Sequence, residues 1–599
     1  MADSIRLADS TLAQVPVPPA ALTSGQSFNP AFASDTLDTD TFHARHAFSL
    51  DHFFEGWPFY FLARRGPIGA ATDLSRFGMG RGRCAVYLGN VSFNDPQDDN
   101  PPFAVVPTTP IGDLVFGGGG YESFLPDRSN VEGAFRIVRE PPPIDKPRTF
   151  LEISRGDRGL VQRRVKFASA VGPVGIDIGY DETRNNGYAF DARGIVSGSN
   201  YGQTRTRIQS ANVRGRLPTG EDYLFSFRRY TNLIDGDLVA VDRTHRRGGH
   251  VGLIETSFGR FQLSIFERTH KVDTPDSSTA NLTTGAYLTV PVSMRPGRAF
   301  ALGLGYENIF SRQEMRGVRT NPRIRRVLTG VSGSLHVGGG LVGRFDANLT
   351  HYLDYSTGWG GRVVLGRELG ARNEAIVELR RGFRMPNLGE LFLPRHELIL
   401  GGGELEGNRY VKDESSLDAS AGIVTRHTIF ENEARVTLMR IRDPILYELS
   451  TDSVLRPVNG EREGLFVLED RFKLKGSLFT VGCRFDGAVW YTPSERDRYF
   501  SSVPEMRTLA RLGFGRGLFK NTSELWVTGE FEFASERQSG SSQNLPSYSV
   551  YNLKIDFRLL SAHIYLQWLN ISDEKYVTVW PYLMTPNTFV YGIEWTLFE

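Results

Sequence analysis

The amino-acid sequence predicts a mainly β protein, a transmembrane antiparallel β-barrel of about 22 strands with a small N-terminal α/β plug domain in its lumen. Three observations lead there. From Thr149 onward the chain alternates apolar and polar residues with a period of two. The connections between these runs come in short and long kinds. The stretch Phe48–Glu140 follows neither rule and reads as a separate mixed unit.

The alternation is plainest near the end, where Tyr551, Leu553, Ile555, Phe557 and Leu559 are apolar and Asn552, Lys554, Asp556 and Arg558 between them are polar. Side chains two apart on a strand share a face, so such a run has one greasy and one wet surface. Phe300, Leu302, Leu304 and Tyr306 repeat the pattern, as do Leu525, Val527, Phe531 and Phe533, and again Ala562, Ile564, Leu566 and Trp568. Counted between turn signals, runs start near Thr149, Leu160, Val174, Thr204 and Asp222 and continue to Ser549, Ala562 and Thr588. The spacing of roughly 20 residues per strand and connection suffices for membrane-crossing strands of about 9–11 residues.

Gly156–Gly159, Ala170–Pro173, Arg295–Gly297 and Gly338–Gly340 read as tight turns. Asp181–Gln203, Asn308–Ile324, Met385–Glu414, Asp443–Glu463, Pro493–Glu505 and Ala534–Pro546 read as long loops. Tight turns at one rim and long loops at the other is the asymmetry of an outer-membrane barrel. So many strands enclose a lumen too wide for their own side chains to fill, and Phe48–Glu140 is the segment available to fill it.

That segment opens with a short helix signal at Ser49–Phe54, runs through Arg64–Ala71, and contains a compact apolar strand at Cys84–Leu88. Pro141–Pro147 follows, a boundary that neither a helix nor a central strand crosses. The expected division is residues 1–40 as an extended periplasmic arm, 41–147 as plug and 148–599 as barrel. The arm carries no apolar period, so it is either a tail or a strand that adds to a partner's sheet edge through Asp3, Ser4, Ile5, Arg6 and Leu7.

A net charge of +1 with scattered Arg and only nine Lys argues against a nucleic-acid partner. No window reaches the roughly 18 apolar residues of a membrane helix. Met1–Leu7 lacks the basic and apolar regions of a signal peptide, and the expectation is a mature sequence whose leader was replaced by a start Met. Cys84 and Cys483 are expected as buried thiols, with a bridge as the alternative. The residues form no catalytic constellation, call for no cofactor and show no zinc spacing, His245 and His250 being the closest loop pair of histidines. Asp95, Asp98, Asp99 and Asn100 are expected as a solvated turn rather than a cation site, and Gly117–Gly120 as a backbone turn rather than a phosphate loop.

Several segments resemble the TonB-dependent outer-membrane receptors. Gly382-Phe383-Arg384-Met385-Pro386-Asn387-Leu388-Gly389-Glu390-Leu391-Phe392 resembles that family's FRxPxxxELF segment, and Gly407-Asn408 with Asp413-Glu414 the GNPxLxPE segment. Leu569–Tyr576 resembles NLFDxxY, Gly89–Asp95 the plug's DGVPLND, and Asn130–Val138 its final GGVINIV strand. The resemblance implies an outer-membrane location, a lipid environment, and a scarce extracellular ligand such as a corrinoid, siderophore or similar metal chelate bound between plug apices and loops. It also implies energised import through TonB, or an equivalent inner-membrane protein, acting on the arm at Asp3–Leu7. Apices facing outward are then expected near Arg64–Ala70 and Asn94–Phe103, with ligand contacts at Arg65, Pro67, Ile68, Gln97, Asn100 and Phe103. The plainer expectation is a salt link to the barrel wall for Arg65 and packing within the plug for Phe103. Against the transporter stands a plugged barrel that acts as an adhesin or assembly component.

Overall fold

The computed structural model describes residues 147–597 almost throughout, the main gaps being 188–201, 236–244, 398–403 and 491–503. Within the first 146 residues it describes 34–37, 46, 48, 60–64, 66, 68–70, 72–76, 82–88, 91–106, 114–117 and 133–137. The helix signal at Ser49–Phe54, the Pro141–Lys146 boundary and the arm residues Asp3–Leu7 lie outside the described residues, as does Gly118–Gly120.

The architecture is a closed antiparallel barrel of 22 spanning strands with a plug sheet inside. The first spanning strand, Arg148–Gly156, pairs with the last, Thr588–Leu597, so no edge remains open. Strands begin within a few residues of the turn signals, at Val174, Asp222, Phe261, Leu341, Asn373, Met506, Ser523, Ala562 and Thr588 among others. The alternation becomes two surfaces. Ile178, Leu304, Val377, Leu417, Phe514, Tyr591 and Trp595 stand exposed on the outer face, while Glu307, Arg326, Arg362, Glu378, Arg380 and Asp418 are buried toward the lumen. Those inward charges pair with one another, Arg362 Nε with Glu378 Oε1 at 2.9 Å and Arg326 with Glu307. A buried charge without a partner would cost several kcal/mol. No helix among the described residues is long and apolar enough to cross a membrane.

The plug sheet has five strands in the order Ser34–Leu37, Leu114–Gly117, Gly133–Ile137, Cys84–Leu88 and Val91–Ser92. Its centre is the parallel pair Cys84–Leu88 with Gly133–Ile137. Cys84–Leu88 is buried along its whole length, and Cys84 carries a free thiol. The outermost strand lies inside the stretch expected as an arm, because Ser34–Leu37 runs antiparallel to Leu114–Gly117.

The structure corrects four local expectations. The Asp95–Asn100 turn is not solvated, since Asp95, Asp99 and Asn100 are buried. The Asp157–Gly159 turn joins the first two barrel strands at the same rim as the long loops, so one of the tight turns sits at the loop end. Asn308–Ile324 is not a loop throughout: strand Arg298–Met315 takes up its first part, and a short hairpin partner, Val318–Thr320, extends the wall beyond the barrel. His245 and His250 lie on one strand, His245–Phe258, not in a loop.

Candidate ligand site at the plug apex

The apex is the turn Asn94–Asn100, and its shape comes from local hydrogen bonds. Asp95 Oδ1 accepts from the Gln97 amide at 3.0 Å and Asp98 Oδ1 from the Asn100 amide at 3.0 Å. Such side-chain turns suit Asp because its short carboxylate reaches the backbone two residues on. Asn94 ties the turn to the plug sheet, its Oδ1 accepting from the Val86 amide at 2.7 Å and its Nδ2 donating to the Cys84 carbonyl at 2.9 Å.

The turn is wedged into the wall near the loop rim. Asp95 meets His270 Nε2 at 3.0 Å and accepts from Asn281 Nδ2 at 3.0 Å. Burial by itself would raise the Asp95 pKa, but the His270 charge and the bonds from His270 and Gln97 hold it well below the usual carboxylate range. Gln97 Oε1 accepts from Gln313 Nε2 at 2.8 Å. On one side a fully buried cluster locks plug to barrel. Arg83 of the plug donates twice to Glu414, at 2.6 and 2.7 Å. Arg384 donates twice to Glu390, at 2.9 and 3.0 Å, and lies 3.5 Å from Asp99 and 3.6 Å from Glu414.

A loop closes over this wedge. The single-turn helix Leu388–Phe392 starts on Asn387 in a capping box, Asn387 and Glu390 each bonding the other's backbone amide. Its leading amides donate to the plug, Leu388 N to Pro96 O at 3.0 Å and Gly389 N to Gln97 O at 2.9 Å. Beyond it, His396–Glu397, Glu404–Leu405, Val454–Asn459 and Ile445–Leu449 form a four-stranded sheet from two loops. Tyr410 is 91% exposed on this loop, and Tyr447 and Leu449 stand exposed on the sheet.

No family model matches the sequence, and no curated protein matches it. Solved structures do. The siderophore receptor PirA from Acinetobacter baumannii matches with a TM-score of 0.75 at 11% identity, over 94% of this chain and 98% of that one. The FrpB iron transporter from Neisseria meningitidis matches at 0.76 and 11% identity over 94% and 99%, and the copper transporter OprC at 0.76 and 13% identity over 92% and 96%. These neighbours are TonB-dependent receptors. The chain has the TonB-dependent receptor fold.

Within that fold the quoted motifs acquire physical reasons. Arg384 and Glu390 of the FRxPxxxELF-like segment are the buried pair that ties the loop helix to the end of strand Asn373–Arg384. Gly407 passes so close to Leu391–Leu393 that a Cβ would lie 2.6 Å from the Leu393 amide nitrogen, while Asn408 N donates to Glu390 O at 2.7 Å. Glu414 is the carboxylate shared by Arg83 and Arg384. In Leu569–Tyr576, Asn570 adopts φ 49° and its side chain bonds Glu574 N and O at 2.9 Å each, folding the turn before the last strand.

The expected contact residues fall out unevenly. Arg65 and Pro67 lie outside the described residues. Ile68 is buried with Phe48, Leu160 and Val590, and its carbonyl accepts from Thr204 Oγ1 at 2.7 Å. Gln97 is half-buried beneath Leu388–Phe392. Asn100 is buried and donates to Asp73 Oδ1 at 2.6 Å, and Phe103 is 2% exposed in the plug core. The segments Ile68–Ala70 and Asn94–Phe103 therefore meet the wall at the loop end, yet their side chains mostly hold plug to barrel. Sequence reasoning missed Arg83, His270, Asn281 and Tyr410. Each is an ordinary residue on a strand or loop, and only the register brings the first three to the apex.

A second junction forms lower in the lumen. His46 Nε2 lies 2.8 Å from Asp556 and Nδ1 3.6 Å from Glu594, and the ring stacks on Tyr565 at 3.7 Å. Burial disfavours the charged ring, but its attraction to Asp556 and Glu594 outweighs this and pushes its pKa up to about 9. His46, Glu152 and Glu594 bring potential metal-ligand atoms within 4.8 Å of one another. Both Glu152 oxygens already accept a hydrogen bond, from Tyr565 Oη and Arg164 Nη1 at 2.8 Å each, so the group reads as a charge network rather than a metal centre.

Proposed function

We propose that this chain is an outer-membrane receptor that binds a scarce small extracellular ligand, a siderophore, corrinoid or similar metal chelate, and imports it by energy-coupled rearrangement of the plug. The observation that carries this reading is the position of the Asn94–Asn100 apex, wedged at the loop rim under a loop helix that bonds it directly. A ligand settling on that loop would press on the plug itself. Neighbours of the same fold are named as siderophore, iron and copper receptors or transporters, which favours a metal-bearing cargo. The exposed Tyr410 and Tyr447 offer aromatic faces to a planar chelate. Coupling would run through the arm to the Ser34–Leu37 strand of the plug sheet, and then to His46 where it meets the wall. Deleting residues 2–9 should leave ligand binding by intact cells unchanged and abolish energised uptake. Uptake at the parental rate would defeat the coupling, and would favour a static stopper.

A further inference from the structure

The outer wall between strands Gln203–Arg216 and Arg298–Met315 departs from a plain lipid-facing surface at its loop end. A continuous apolar row runs across it, Phe225 beside Ile254, Ile254 beside Ile265, and on through Ala286 to Tyr306. The next row toward the loops carries Glu267, and the one after it Arg229 beside His250, whose Nε2 lies 3.1 Å from Glu267. The next row carries Arg207, Lys271 and Arg312, and the one above it Arg205 and Arg246. Rows of one face are about 7 Å apart along the strand, so a lipid-facing wall would pass from hydrocarbon to headgroups over these rows.

Between these polar side chains the wall is thinned by Gly248 and Ala280, leaving two adjoining outward depressions of about 450 and 550 Å³. Arg229 and Phe227 border the first, and Arg246, Arg312, Leu282 and Phe310 the second. Among the described residues Arg229 and Arg246 make no ion pair within 4.0 Å, although Asp273 stands across from Arg246 and borders the same depression, and Arg312 lies 3.8 Å from Glu314. The exposed pairs nearby, Lys271 with Asp273 and Arg207 with Glu182, are weak enough to exchange partners.

We infer that these depressions bind a phosphorylated lipid of the leaflet at the loop rim, its phosphates on Arg229, Arg246 and Arg312 and its chains along Phe227, Leu282 and Phe310. Arginine forks suit phosphate oxygens, and a small-residue floor admits a bulky headgroup. The inference rests on the barrel crossing a membrane, and on no property of the plug or cargo.

The full-length protein in nanodiscs would be offered bisphosphoryl lipid A or its monophosphoryl form, with retained lipid measured by native mass spectrometry. Each charge near a headgroup changes affinity about five-fold, so Arg229→Gln with Arg246→Gln should weaken retention of the bisphosphoryl form by about 25-fold. Arg229→Lys with Arg246→Lys should keep most of it, and Arg440→Gln, on another part of the outer wall, should change nothing. Retention by the double Gln variant within two-fold of the parent would overturn the inference. So would equal loss in Arg440→Gln, or release of the lipid by equimolar inorganic phosphate, which would mark a site for the free anion. A protein that does not enter nanodiscs at all would instead overturn the membrane reading.

Discussion

Replacing Arg83 with Ala tests the claim that buried ion pairs hold the plug against the wall. Arg83 is 7% exposed and its partner Glu414 is 0% exposed, and the two share a doubly hydrogen-bonded contact at 2.6 and 2.7 Å. Deleting one member of such a pair leaves a buried charge and costs about 3–5 kcal/mol. Glu414 would keep Arg384 at 3.6 Å and the Ile445 amide at 2.9 Å, which sets the expectation at about 3 kcal/mol, the lower end of that range. The assay is built into the plug, because Cys84 is a free thiol only 1% exposed. In a Cys483→Ala background, the rate at which a maleimide labels Cys84 in the folded protein follows the fraction of plugs that have opened. A loss of 3 kcal/mol should raise that rate by about a hundred-fold. Labelling in urea supplies the intrinsic reactivity and removes any local effect of position 83. Glu414→Gln, made from the barrel side, should produce an increase of the same order. Labelling of Arg83→Ala within three-fold of the parent would show that the pair does not hold the plug and would refute the reasoning.

Two further outcomes follow from the same contacts. The raised pKa of His46 means that its charged form is favoured by folding. Its contribution, at most about 3 kcal/mol from the interval between 6.5 and about 9, is present below pH 6.5 and is lost as pH rises through 9. Anchorage of the plug's N-terminal end, followed by hydrogen exchange, should therefore weaken between those values, and His46→Gln should flatten that dependence; an unchanged profile would remove His46 from the latch. Gly407→Ala forces a Cβ to within 2.6 Å of the Leu393 amide nitrogen and 2.8 Å of that of Phe392. Protease cleavage within Met385–Glu414 should accelerate while the barrel stays folded, and equal resistance would mean that the loop shifts without penalty.

How much of this could be read in advance varied with the range of the interaction. The barrel was legible because its cause is local and repeated. A strand with lipid on one side and a polar lumen on the other must alternate at every second residue, and Tyr551 to Leu559 or Tyr591 to Leu597 announce that without reference to any neighbour. The approximate boundaries followed too, since Gly- and Pro-bearing turns interrupt the period. The plug was legible as the part that breaks the pattern, and Cys84–Leu88 as its buried strand. What the linear chain did not contain was pairing. Arg83 meets Glu414 across 331 residues and His46 meets Asp556 across 510, and each is an unremarkable charge until the closed sheet sets its register. The same holds for the apex. Gln97, Asn100 and Phe103 sit in a segment placed at the loop end, but only the folded wall decides that Asn100 and Phe103 turn inward and that Leu388–Phe392 covers Gln97. Alternation belongs to each strand alone, whereas a contact between plug and wall depends on the shear and closure of all 22, and that is why the sequence by itself determined the container and the tertiary structure decided what is locked inside it.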